Sequence, residues 1–554
     1  MLDLMVQSIQ RLPVHTRALL EAGACIGHRF DLGTLAEVSG LSRTAATDQL
    51  WPALEDGLLL PLRETYKAPR RAGPLDGSLD ALSRVVQFAH DRVQQAAYSL
   101  PSEERRREIH LSIGRHLLND AGEGELDERL FDIVDQLDLG EALIVDSAER
   151  LRLAELNLAA GRKARASAAY HAAVEYLTVA MRHLPERSWR EQPGLTFALH
   201  REFAECAYLT GQHAGAEEMI ETALEHAPSK VAKADLYSLR VLAATVAGDW
   251  PRALRWGREG LAVFGLEWPI EGLADANEAE AAMVMKNVGE RRIEDLLEEP
   301  EVDDAETRAC MRLLSILGPP AYFSGADVLT FLVTRATNLS LVHGPSPYSA
   351  YAYALYAGLH NARTGEYDVG YAFGRLALGL ARRFGNGAEE SRTLEVFGLV
   401  VHPWKAPLRD SLPLLREGFR AGVASGELAY AAFNLNSALI NGLPAGVPVA
   451  DLLADADVAI EFATRHKNRT SIEMAVPFRQ LSRALMGGRG GPPPLTTTAS
   501  RRRGFSKRPK ATRPRSASSG WPDFRRPISR VTTRPPAEAH KRAQGPCWPA
   551  TSGW

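Results

Sequence analysis

The chain has 554 residues, 45% of them apolar, and carries 65 Lys+Arg against 68 Asp+Glu for a net charge of −3. That is too long for one ordinary domain, and the apolar content is ample for buried cores. The charge is unevenly spread. Residues 488–554 hold 15 Lys+Arg against Asp523 and Glu538, a net +13, which leaves 50 of the 65 basic and 66 of the 68 acidic residues, a net −16, for residues 1–487. A body of that charge is a poor nucleic-acid binder. The four cysteines, Cys25, Cys206, Cys310 and Cys547, are scattered without metal-ligand spacing and suit a reducing cytoplasm. No run of 18 apolar residues occurs, so no membrane span is expected, and the N-terminus lacks a basic-then-apolar signal pattern.

In chain order, residues 1–66 read as three helices and a strand pair. Leu12-Pro13 separates the first two helices. Phe30–Val38 is a short helix, Ser42 caps the next, and Thr44–Glu55 carries that helix to Gly57. Leu58–Leu62 is a strand that Pro61 confines to a sheet edge. Helices followed by a strand ribbon form the winged-helix pattern, whose recognition helix often reads DNA. Here that helix contains Asp48, Glu55 and Asp56 and no cation after Arg43, so a packing module is expected and DNA is not. Arg70–Gly77 is the expected wing loop, and Arg84–Phe88 ends a strand. Asp91 is the expected N-cap of the helix that follows, whose Val93, Ala96, Ala97 and Leu100 fall on one face. Pro101 breaks that helix. Glu103 and Glu104 open the next, which continues through Ile109, Ile113 and Leu117 with His110 and Arg105–Arg107 on its solvated face. Gly122–Gly124 is a loop and Leu126–Leu137 a further helix.

From Leu151 a spacing of +5 and +12 recurs at Gly161/Ala166/Ala173, Gly211/Ala216/Ala223, Gly248/Ala253/Gly260 and Gly365/Gly370/Ala377. A glycine that permits a tight turn, followed by two small residues that let paired helices approach, is the signature of a tetratricopeptide-like hairpin. Residues 151–486 are therefore expected to form an all-α solenoid. Trp250, Trp256 and Trp268 are read as packing between repeats. Beyond Gly487 the chain becomes rich in Arg, Pro, Ser, Thr and Gly, a composition that cannot offset ordering entropy. It is either a disordered basic tail or the out-of-frame translation of GC-rich coding sequence. The expected organisation is a winged-helix-like module with its junction at 1–100, connecting helices at 101–150, repeats at 151–486 and the tail at 487–554.

No Gly-x-x-x-x-Gly-Lys-Ser/Thr loop, glycine-rich kinase loop, His-Arg-Asp catalytic loop, Asp-Phe-Gly or His-Glu-x-x-His motif occurs. No catalytic or metal-binding residue is therefore expected.

One string is more specific. Phe88, His90, Asp91, Arg92, Val93, Gln94, Gln95, Ala96, Ala97 and Tyr98 match a Phe-x-His-Asp-Arg-Val-Gln-Gln-Ala-Ala-Tyr run. The run resembles the junction after the winged helix in signal-transduction ATPases with numerous domains. It is closest to the large bacterial multi-sensor serine/threonine and histidine kinases, which run kinase, ATPase, helical repeats, then sensor and output domains. MVQSIQRLP, CIGHRFDLGTLAEVSG and LEDGLLLP are similar to that family's segment after the ATPase core, and LAELNLAAGRKARASAAYHAAVEYL to its first hairpin beyond the junction. Trp268-Pro269, His402, Trp404 and Gly426–Asn434 fall where the family has similar residues. The resemblance covers most of residues 1–486 and does not extend to the tail. It implies a fragment without catalytic domains. Such a fragment would be a cytoplasmic, non-catalytic regulatory region that binds a protein partner or the parent's other domains, with ATP or ADP and magnesium held only by full-length relatives. In related switch ATPases a Met-His-Asp at this point lets the histidine reach the ADP β-phosphate. Ala89-His90-Asp91 looks like that motif with Ala for Met, which makes His90 and Asp91 candidates for nucleotide sensing. The rival readings are a transcription regulator, using the winged helix or basic tail on DNA, and a kinase-like ATP-binding protein.

Overall fold

The computed structural model describes residues 2–62, 85–122, 124–266, 268–269 and 271–487. The expected wing loop Arg70–Gly77 and the tail beyond Gly487 lie outside the described residues. The chain divides into two compact units, 1–232 and 233–554, the division falling within the helix Lys230–Val246. The fold is all-α, built of paired helices, with one small sheet near the start of the first unit. Among the described residues no helix is long and apolar enough to cross a membrane.

The first unit opens with α1 (Leu2–Gln10), α2 (Val14–Ile26), β1 (Arg29–Asp31), α3 (Leu32–Val38), α4 (Arg43–Glu55), β2 (Leu59–Leu62), β3 (Val85–Phe88) and α5 (Asp91–Ser99). Pro13 lies between α1 and α2 as expected, and the Ser42 hydroxyl caps α4 by accepting from Ala45 N at 3.2 Å. The sheet is antiparallel in the order β1-β3-β2, so Pro61 does lie on an edge. From sequence the third helix is expected to begin at Phe30. Instead Arg29–Asp31 pairs with β3, with Phe30 opposite Val86, and the helix begins at Leu32. Asp31 explains the switch, because its carboxylate accepts from Gly33 N at 2.7 Å and Thr34 N at 3.1 Å. Phe30, Leu59, Val86 and Phe88 bury into one core with α2 and α5.

α6 (Glu103–Asp120), α7 (Glu125–Glu128) and α8 (Leu130–Leu139) follow, then the hairpins α9 (Ser147–Ala166) with α10 (Tyr170–Arg182) and, beyond the one-turn α11 (Ser188–Glu191), α12 (Pro193–Leu209) with α13 (His213–Glu225). Gly211 makes its turn at φ +83°, and Ala216 and Ala223 are fully buried, as their spacing predicts. The first triple was out of register. Gly161 lies inside α9, packed so that a Cβ would meet Leu177 at 2.8 Å, and Ala166 is exposed. The real turn is at Ala168, φ +59°, and the buried partners at +5 and +12 are Ala173 and Ala180. An alanine in the left-handed region hides the turn from a search for glycine.

In the second unit α14 (Lys230–Val246) leads to α15 (Trp250–Ala262), α16 (Leu273–Val288), α17 (Ala305–Ile316), α18 (Gly318–Ser324) and α19 (Ala326–His343). The hairpins α20 (Ser349–Thr364) with α21 (Tyr367–Phe384), α22 (Gly387–Val396) with α23 (Leu408–Ser425), and α25 (Val449–Arg465) with α26 (Arg469–Leu485) follow, α24 (Leu428–Gly442) packing on both α23 and α25. Gly248 and Gly365 turn at φ +72°. Trp268 is buried, Trp256 lies under the Arg240 guanidinium at 4.1 Å, and Trp250 stacks on Phe323 at 4.8 Å, so the three indoles serve packing.

Polar groups pin these helices in register. Arg392 of α22 binds Glu389 at 3.1 Å and Glu427 at 2.6 Å, and its guanidinium lies 5.4 Å from the Tyr430 ring centroid. The Tyr430 hydroxyl meets that of Tyr351 at 2.6 Å. Nearby, Ser437 donates to the carboxylate of Glu395 at 2.7 Å. Burial pushes the Glu395 carboxyl from 4.5 up to about 7, against the lowering effect of that hydrogen bond. The folded protein thus holds a proton that the unfolded chain releases between pH 4.5 and 7. This group's contribution to stability is fullest below the unfolded value and is lost as pH rises through the folded one. Denaturant titrations should therefore show wild-type stability falling relative to Glu395→Gln from pH 4.5 to 7. Parallel pH curves would contradict the shift.

Candidate functional site

β3 runs between two partners, and its alternation sends Val86 and Phe88 into the core, where the Phe88 ring lies 5.6 Å from that of Phe30. The strand stops at Phe88, and His90 still keeps extended backbone (φ −157°, ψ 146°) while the next residue turns helical. His90, not Asp91, is the N-cap: its Nδ1 accepts from Arg92 N at 3.1 Å. The sequence favoured Asp91 because carboxylates are common caps, but an imidazole nitrogen in the same position accepts as well. With Nδ1 accepting, the neutral ring carries its proton on Nε2, which leaves an outward donor. Asp91, the first helical residue, places its carboxylate 3.3 Å from His28 Nδ1, at the positive end of α5.

The rest of the matching string divides into two faces. Val93, Ala96 and Ala97 are buried against α1 and α2. Gln94 reaches across to donate to Ala24 O at 3.2 Å. The Tyr98 hydroxyl contacts His110 Nε2 at 3.1 Å, His110 Nδ1 contacts Gln136 Oε1 at 2.7 Å, and Gln136 Nε2 donates to Cys25 O at 3.0 Å. The last bond fixes the others. A carbonyl only accepts, so the Gln136 amide oxygen faces His110, Nδ1 donates to it, and Tyr98 donates to Nε2. Burial lowers the His110 pKa, in keeping with that neutral ring. The sequence reading put His110 on the solvated face. At 3% exposure it is instead the buried centre of a relay joining α2, α5, α6 and α8, and partners 12 and 26 residues away leave no local signal. Arg105 and Arg107 do lie on a solvated face, paired with Glu108 and Glu103.

The exposed face comprises His90, Asp91, Arg92 and Gln95, with His28 beside it. Packing accounts for Phe88, Val93, Gln94, Ala96, Ala97 and Tyr98. It does not call for a His-Asp pair at the surface. His28 belongs to this group although no sequence pattern singles it out.

The other candidates are quieter. Cys25, Cys206 and Cys310 are buried free thiols that burial pushes up to about 12, which keeps them unreactive. Among the described residues no group of three His, Cys, Asp or Glu side chains is placed to hold a metal ion. His402 is buried against Phe397 and Tyr371, and Trp404 stacks on Tyr367.

No family model matches the chain. Among curated proteins it is similar to the hybrid signal transduction histidine kinase G of Dictyostelium discoideum, at 23% identity over 515 residues, which is 81% of this chain and 15% of that protein. The chain thus spans under a sixth of the length of the curated relative it matches. Among solved structures it is similar to a signal-transduction ATPase with numerous domains that has a tetratricopeptide-repeat sensor, from Pyrococcus horikoshii. That likeness has 11% identity and a TM-score of 0.32, and covers 86% of this chain and 67% of that one. At that level nothing is inferred from it.

In the isolated chain His90→Ala removes one cap and is expected to cost about 0.5–2 kcal/mol. Asn at the same position restores the cap and should recover most of the loss. Urea midpoints measure both. Equal stability of the Ala and Asn variants would show that the imidazole does not act as a cap.

Proposed function

We propose that this chain is a non-catalytic regulatory and protein-interaction region of a multi-domain signalling protein, acting in the cytoplasm. Residues 1–100 serve as a winged-helix-like module that packs against other domains, and the helical repeats bind a protein partner or those domains. The observation that carries this reading is the exposed His90–Asp91 pair at the strand-to-helix junction, inside a string whose other apolar members are accounted for by the core. The similarity to a hybrid histidine kinase over 81% of the chain supports the signalling class.

In this reading His90 reports a nucleotide bound by a neighbouring domain. Its Nε2–H donates to the terminal phosphate oxygen of a nucleoside diphosphate and adds affinity to one of two states only, the requirement for shifting an equilibrium. A charge-assisted hydrogen bond contributes about 1.5–3 kcal/mol. His90→Ala, placed in a full-length relative that carries the ATPase, should therefore speed ADP release and raise basal signalling by roughly tenfold to a hundredfold. Release at the unmodified rate would reduce His90 to a structural cap.

A further inference from the structure

The turn between α20 and α21 bears a surface feature that the reading above leaves unused. The Tyr367 and Trp404 rings lie nearly parallel, 4.8 Å apart with 12° between their planes. They line a groove of about 460 Å³ together with Glu366, Asp368 and Lys405. Glu366 makes no side-chain cap to α21. Its carboxylate lies 3.2 Å from Nε2 of the buried His360, whose pKa burial lowers, so a neutral ring leaves the charge of Glu366 uncompensated. Asp368, 88% exposed, draws in the Lys405 ammonium. Arg363, just before the turn, is directed to Glu278 at 3.6 Å. The groove therefore sets two carboxylates against one ammonium beside stacked aromatic faces.

That chemistry selects a flat cation. A guanidinium stacks on an aromatic face and offers several donors to carboxylates, which an ammonium cannot do at once. Anions meet two carboxylates, and neutral groups gain only the rings. The start of a helix disfavours a cation, but the two carboxylates flanking that first turn outweigh its partial charge. We propose that this groove binds an arginine side chain presented by a peptide segment of a protein partner. The proposal rests on the interaction reading above and names the partner's chemistry. Lys405 holds the cation position in the free protein and yields it on binding.

The test uses the full chain and two labelled peptides, Gly-Arg-Gly-Arg-Gly-Arg-Gly and its lysine counterpart, followed by fluorescence anisotropy at low salt. The arginine peptide should bind about threefold or more tightly than the lysine peptide. Asp368→Asn and Trp404→Ala should each weaken it about fivefold or more with unchanged thermal midpoints. Lys405→Gln should tighten it more than Lys286→Gln, a charge change elsewhere on the same unit. No binding, equal affinity for both peptides, or indifference to Asp368→Asn would overturn the proposal. Tighter binding when Arg501, Arg502 and Arg503 become Gln would assign the groove to the chain's own basic segment and also count against it. Failure here leaves the signalling and nucleotide-sensing reading intact, because that reading is tested separately through nucleotide release.

Discussion

Replacing Arg392 by alanine is expected to destabilise the second unit by about 3–5 kcal/mol. Arg392 joins Glu389 at 3.1 Å and Glu427 at 2.6 Å, with a side chain only 12% exposed. Burial works against its charge, but the two carboxylates outweigh this and hold the guanidinium's pKa above its usual value. Glu389 is the deeper carboxylate. Burial raises its pKa, Arg392 pulls it back, and its remaining contact is the Ser315 hydroxyl at 3.4 Å. Without Arg392 the buried Glu389 and the partly buried Glu427 face each other with no cation between them, and one must take up a proton or the helices must part. Arg105→Ala, which removes an exposed pair with Glu108, should change stability by less than about 1 kcal/mol. Urea unfolding followed by circular dichroism measures both. Equal small losses would show that the triad is not a buried unit.

Gly370→Ala should be the next most damaging change. A Cβ at Gly370 would lie 1.9 Å from Asn361 Oδ1 and 2.8 Å from the backbone oxygen of Ala357. The amide could rotate away, but the carbonyl belongs to α20 and cannot, so α20 and α21 must separate. Forced overpacking of this kind costs about 1–3 kcal/mol. Gly365, five residues earlier, has φ +72° and open space around its missing Cβ, so Gly365→Ala should cost about 1 kcal/mol through backbone strain alone. A Gly370→Ala variant as stable as Gly365→Ala would mean that the helices do not approach as closely as described.

Those two glycines show what the sequence made legible. A turn glycine and a contact residue five positions on are written locally, so hairpins at Gly211, Gly248 and Gly365 could be read directly. At Ala168 the same turn is made by a residue that rarely adopts it, and the register there slipped by seven positions. β1 is three residues long and exists only because β3, more than fifty residues away, pairs with it, and no window around Phe30 contains that information. The junction string told where the polar face lies, since His90 and Asp91 could be placed at a strand-to-helix boundary from pattern alone. Which of the two caps the helix depended on side-chain geometry. The relay through His110 and the approach of His28 depended on tertiary contacts that spacing does not encode. The Glu389–Arg392–Glu427 triad, spread over two hairpins, was equally silent.

Isothermal titration of the purified full chain with magnesium-ATP and with ADP tests the regulatory, non-catalytic reading most directly. No phosphate loop occurs in the sequence to supply backbone N–H groups and a lysine to the phosphates, and His90 offers a single donor. Flat binding heats with both nucleotides, and no phosphate release above buffer, are the expected result. Micromolar affinity for either nucleotide, or turnover that follows the protein through purification, would contradict it and make the chain an ATP-binding protein in its own right.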